Sequence, residues 1–153
     1  MTTSMYRKMR IGVVHFKAFP GIETGEGLPV VFLHAGVCDK RMWESQMTMV
    51  ADEGWHAIAY DRRGYGETTT PDEGFSHLED LEAVLDALGI HAAIVVGASI
   101  GGMIRLSRES MASASLAMRR LSRILRRFGP RTNSRPRKML AQTGMFPASA
   151  RSW

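Results

Sequence analysis

Ser99 lies in the stretch VVGASIGG, two positions after Gly97 and two before Gly101. An aliphatic hydroxyl there is a candidate nucleophile toward a carbonyl carbon. The glycine spacing has a steric reason. A strand that turns abruptly into a helix strains its turn residue, and side chains two positions away on either side would collide. Glycine at Gly97 and Gly101 removes that collision and leaves the hydroxyl above the sheet. Backbone N–H groups at the start of the following helix then face an incoming carbonyl oxygen and can stabilise an oxyanion. A glycine-rich strand–helix turn that merely packs tightly satisfies the same five residues. A phosphate-cradling loop does not, because neither G-x-G-x-x-G nor G-x-x-x-x-G-K-[ST] is present.

The elements that must position Ser99 are read from periodicity. The stretch from Met9 to Phe19 is strand-like, and LPVVFLHAG contains the continuous apolar run VVFL that a sheet covered on both faces requires. RMWESQMTMVADEG has Met42, Trp43, Met47 and Val50 at helical spacing before Gly54. WHAIAYD is a second buried strand, ended by the loop RRGYGETTTPDEG. In FSHLEDLEAVLDALGI, Ser76 and Glu79 have capping-box spacing, Leu78, Leu81, Val84, Leu85 and Leu88 form one apolar stripe, and Gly89 stands where a left-handed cap belongs. HAAIVVG is a third buried strand. Alternating strands and helices predict a parallel sheet with helices on both faces, and function gathers at the carboxyl ends of such strands. HAG, DRRGYG and GASIGG all fall there.

VVFLHAGVCDKRMW, AYDRRGYGET and VVGASIGG, in that order and each at a strand end, resemble the amino-terminal half of the α/β-hydrolase fold family, from about Met9 to Ile104. The resemblance implies a doubly wound, mostly parallel sheet, with Ser99 as the nucleophile and Ile100 giving one backbone N–H to an oxyanion hole. It implies a second donor at Gly36, or at Val37 if the register shifts by one. His34 is implied to be a structural hydrogen-bonding residue, and Asp61 and Arg62 to organise the loop after their strand. Ala35 stands where the family usually has glycine, and Ala98 where many members have histidine; both replacements are small. A serine at this turn points to esters, lactones, amides, or carbon–carbon bonds beside a ketone.

A serine hydroxyl needs a base, and in this family the acid and the histidine follow the serine in the chain. The five histidines, at 15, 34, 56, 77 and 91, all precede Ser99, and Glu109 is the single acid after it. The triad cannot be completed in family order. His15, His56, His77 and His91 have no metal-ligand spacing, so no metal site and no cofactor are expected. Trp43 and Trp55 are assigned to the core, and Cys38 to a small buried or loop thiol.

The net charge of +5 conceals a split. Residues 1–104 carry 8 Lys/Arg against 14 Asp/Glu, and residues 105–153 carry 12 Lys/Arg against one acid. Two segments are therefore expected: residues 1–104, the family-like part, and residues 105–153, a basic helical or disordered tail unrelated to the family pattern. Within the tail, LAMRRLSRILRRFGP places Met118, Leu121, Ile124, Leu125 and Phe128 on one helical face and five arginines opposite. Three origins compete: a helix that docks on nucleic acid or an anionic membrane, a helix that covers the sheet's edge, and a shifted-frame continuation of a longer hydrolase. The loss of acids and of both triad partners favours the third. The expectation is a hydrolase of an ester-like or lactone-like small molecule that is truncated after the nucleophile turn and largely inactive. The alternative is a non-catalytic binding protein acting through the basic tail. One cysteine, no secretory-type leader and no apolar run long enough to span a bilayer place the chain in the cytoplasm by expectation. Without later strands the last strand's edge is expected to be unpaired, with marginal stability and a tendency to aggregate.

Overall fold

The computed structural model describes residues 5–13, 16–69, 74–98, 123 and 140–145. The strands are β1 (Arg7–Val13), β2 (Phe16–Thr24), β3 (Leu28–Leu33), β4 (Trp55–Tyr60), β5 (Ala92–Gly97) and β6 (Leu140–Met145). A 3-10 turn at Lys40–Trp43 leads into α1 (Glu44–Asp52), and α2 is His77–Ala87. The strands form one sheet in the order β1-β2-β4-β3-β5-β6. β3 is parallel to β4 and to β5, whereas β2 runs against β1 and β4, and β6 against β5. Four strands thus share one direction, and β2 and β6 oppose it.

Apart from His56 near the start of β4, the three parallel strands are apolar because both of their faces are covered. Val30, Phe32, Ala57, Ala59, Ile94 and Val96 pack with Trp43, Met47 and Val50 at and within α1. The alternate residues Val31, Leu33, Ile58, Tyr60, Ala93 and Val95 pack with Leu81, Val84 and Leu85 of α2. This is the period-2 alternation of a strand with a helix on each side. Trp43 and Trp55 are buried, as expected. α2 begins where the capping box lies, with the Ser76 hydroxyl accepting the Glu79 N–H. It ends in a Schellman motif: Gly89 has φ of 66°, and the Ile90 N–H reaches the Leu85 carbonyl at 2.9 Å.

Two expectations are corrected. Met9 to Phe19 is not one strand but the two arms of the β1–β2 hairpin, with Arg7 opposite Glu23 and Ile11 opposite Phe19. No glycine or proline punctuates the chain between Val13 and Phe16, so no turn residue marked the reversal. The β5 edge is also not left open. β6, from a segment with no strand-like apolar run, pairs with it from Ala92–Met145 to Gly97–Leu140. The amphipathic stretch of residues 116–130 lies outside the described residues apart from Arg123. Among the described residues no helix is long and apolar enough to cross a membrane.

Candidate active site

The carboxyl ends of β3, β4 and β5 meet at one edge of the sheet. Gly97 closes β5 opposite Leu33, the last residue of β3, and the Ala98 N–H donates to the Leu33 carbonyl at 3.2 Å. The chain therefore leaves β5 beside the turn that follows β3. Ser99, Ile100 and Gly101 lie outside the described residues. Gly36 and Val37 form the tip of the neighbouring turn, closed by the Cys38 N–H on the Ala35 carbonyl at 3.1 Å, and Val37 is 95% exposed. The Ala35 N–H is taken by the Met42 sulfur at 3.3 Å. The N–H groups of Gly36 and Val37 have no acceptor among the described residues, the state an oxyanion donor must be in before substrate arrives.

Beneath this turn, His34 is fully buried. Its Nδ1–H donates to the Ala35 carbonyl at 2.8 Å, and its Nε2 accepts the Arg62 N–H at 3.0 Å, the tautomer being assigned from these partners. Burial, with a smaller contribution from the Arg62 charge, lowers its pKa and keeps the ring neutral. Both nitrogens are committed, so His34 ties the β3 turn to the β4 loop and has no lone pair left for a serine proton.

Asp61, immediately after β4, is the brace of the site. Its buried carboxylate accepts the Lys40 N–H at 2.9 Å, the Lys40 ammonium at 2.8 Å and the Glu67 N–H at 3.0 Å. Glu67 closes on Lys40 from the other side at 2.6 Å. Burial works against the Lys40 ammonium, but the Asp61 and Glu67 carboxylates outweigh it and raise its pKa. The loop can wrap this closely because Gly66 has φ of 56° and no side chain; a Cβ there would overlap the Asp61 carboxylate.

Arg63 fastens the other end of the loop to α2. Its Nε donates to Asp80 at 3.1 Å, Nη2 bonds the second carboxylate oxygen, and the guanidinium lies 4.6 Å from the Phe16 ring centroid. Burial raises the pKa of Asp80, with the Arg63 bonds pulling against it.

Lys40, Glu67, Arg63 and Asp80 were not singled out in the sequence, where charged residues in a loop and on a helix read as solvated. The visible signal for Asp80 was its place one residue before Leu81 on the stripe that α2 buries. The other histidines assemble no base. His56 bonds Glu23 at 2.8 Å at the opposite end of the sheet, and His91 is exposed. His77 sits near the site, yet burial and then the Arg62, His34 and Arg63 charges depress its pKa to about 4, with no carboxylate among those influences. Among the described residues, therefore, no histidine carries the carboxylate partner at this end of the sheet that a catalytic base requires.

Adjacent parallel strands with a helix on each face, their carboxyl ends meeting beside a glycine-flanked serine in sequence, define a doubly wound α/β scaffold. A family model described as the alpha/beta hydrolase family matches residues 30–152, and the chain belongs to that family. It is 36% identical over 87 residues to the AB hydrolase superfamily protein YisY of Bacillus subtilis, covering 55% of this chain and 32% of that protein. With a bifunctional esterase/perhydrolase of Acinetobacter calcoaceticus it shares 37% identity over 78 residues, 48% of this chain and 28% of the relative. An epoxide hydrolase structure from Vigna radiata superposes with a TM-score of 0.62 at 30% identity, over 67% of this chain and 33% of that one. The chain spans about a third of the length of the relatives it matches.

Proposed function

We propose that this chain carries the nucleophile-and-oxyanion part of a hydrolase for ester-like or lactone-like small molecules, with Ser99 forming an acyl-enzyme. Gly36 or Val37 and Ile100 give the oxyanion N–H groups. The observation that carries this reading is the pair of amides at Gly36 and Val37 without an acceptor among the described residues, on the turn that follows Leu33, whose carbonyl takes the N–H of Ala98, the residue preceding Ser99. Matched relatives are named both esterase and epoxide hydrolase, and the identity of the nucleophile separates the two chemistries. A serine oxygen that opens an epoxide leaves an ether, which water does not cleave. On an acyl carbon it leaves an ester, which water does.

The same reading makes the chain alone inactive or nearly so. No histidine follows Ser99, and His34 has spent both of its nitrogens. An oxyanion site without its base keeps a small residue of activity. The test is labelling by a fluorophosphonate probe, with Ser99→Ala as control. Labelling no faster than in the variant is expected; rapid Ser99-dependent labelling contradicts the proposed inactivity.

The charge of residues 105–153 favours a second reading, in which the basic tail binds nucleic acid or an anionic membrane. Binding that disappears when residues 105–153 are removed, and that weakens steeply with salt, supports it. Equal binding with and without them removes it.

A further inference from the structure

At the amino end of the parallel strands, the β1–β2 hairpin and the end of α2 enclose a cleft of about 420 Å³. Its floor is apolar. Met9 and Ile11 of β1, with Leu88 and Ile90 just beyond α2, line it and belong to the core layer that α2 covers. One end is ionic. Arg7 stands opposite Glu23 in the hairpin register, two residues before Met9 and therefore on the same face of β1. The buried Glu23 carboxylate holds Arg7 with one oxygen and His56 Nε2 with the other, the latter at 2.8 Å. Its charge is thus already shared within the protein. The Arg7 guanidinium is largely exposed and has no other partner among the described residues, so it keeps N–H groups free at the mouth of the cleft.

A polar mouth joined to an apolar floor fits a molecule divided in the same way. The mouth also has a sign. Arg7, Lys8 and Arg10 of β1 stand against the one carboxylate that lines the cleft, and neither Lys8 nor Arg10 has an acidic partner among the described residues. An anion is drawn to such a rim, and a guanidinium matches a carboxylate in shape as well as charge. We infer that this cleft receives an alkyl carboxylate, its head on the free side of the Arg7 guanidinium and its chain against Met9, Ile11, Leu88 and Ile90. The strand sets the length. At about 3.3 Å per residue, Arg7 to Ile11 spans about 13 Å, the reach of a chain of about ten carbons. Each methylene buried on that floor strengthens binding by up to about fourfold. The cleft lies at the opposite end of the sheet from the candidate active site, so the inference does not depend on a reactive Ser99.

The experiment is isothermal titration calorimetry of the full chain with sodium decanoate, kept below its micelle concentration. Saturable binding of one decanoate per chain is expected. Sodium butyrate, which has the head without the reach, should give no measurable binding, and decylammonium, with the same chain and the opposite charge, should bind at least about fivefold more weakly. In Arg7→Met, which keeps the stem and removes the charge, decanoate affinity should fall by about fivefold to tenfold. Arg41→Met, at an exposed arginine beyond the other end of the sheet, should leave it unchanged. No saturable decanoate binding, equal binding of decylammonium, an undiminished affinity in Arg7→Met or an equal loss in Arg41→Met overturns the inference. Should Arg7→Met not fold, Overhauser contacts between the decanoate methylenes and the Met9 methyl group of the unaltered chain decide: their presence supports the site, and their absence removes it.

Discussion

The two ends of the central sheet handle charge in opposite ways. At the amino end, Glu23 on β2 bonds His56 on β4 and pairs with Arg7 on β1. Arg7 is 81% exposed, so water carries part of that charge. The tight turns there exist to let backbones approach: a Cβ on Gly25 or Gly27 would overlap the carbonyl of Trp55 or of Gly54. At the carboxyl end, Asp61 and Arg62 are withdrawn from water altogether, and polar groups are left unfilled. Both ends thus bury charge, but the amino end shares its charge with an exposed arginine, whereas the carboxyl end pairs Lys40 and Arg63 within its loops and leaves Arg62 without a carboxylate among the described residues. The carboxyl end is also where the proposed function places its chemistry.

The comparison can be broken by removing the key carboxylate from each end. Asp61→Ala strips the buried Lys40 ammonium of one partner and leaves two backbone N–H groups unpaired. It should cost about 3 kcal/mol in denaturant unfolding, the low end for a broken buried pair because Glu67 remains. Glu23→Ala, with half-open partners, should cost about 1 kcal/mol. Equal costs would erase the distinction between the ends.

A smaller contrast separates strain from collision. Gly66→Ala forces a side chain into left-handed backbone and against the Asp61 carboxylate, and should lose about 2–3 kcal/mol. Gly54→Ala has a similar φ of 82° with open space around the Cβ, and should lose about 1 kcal/mol. The same unfolding measurement reads both.

The smallest expected effect is in pH dependence. The His77 pKa is depressed to about 4, so between pH 6.5 and about 4 the unfolded imidazole takes up a proton that the folded one refuses. Stability is fully present above pH 6.5 and declines as the pH falls through that window. His77→Phe should flatten the slope of the unfolding midpoint against pH. An unchanged slope would show that His77 is not held neutral by its surroundings.

Much of the scaffold was legible because single residues announced it. Ser76, Glu79 and Gly89 marked both ends of α2, and largely apolar runs marked β3, β4 and β5 as covered on both faces. The β1–β2 reversal and β6 were not legible. One lacks a turn residue, and the other lacks the β-branched pattern by which strands are recognised. The turn at Gly36 and Val37 was located through family resemblance, and its unengaged amides became visible in three dimensions. The Lys40–Asp61–Glu67 brace was hidden for a physical reason: its members are separated by 21 and 6 residues and are joined by the fold, not by any local spacing.

The most direct test of the central claim is steady-state turnover of p-nitrophenyl acetate by the full chain and by Ser99→Ala. The account predicts equal, near-background rates, because no histidine follows Ser99 in the sequence and, among the described residues, His34 has both ring nitrogens engaged. Turnover of about 1 s⁻¹ or faster that vanishes in Ser99→Ala would contradict it.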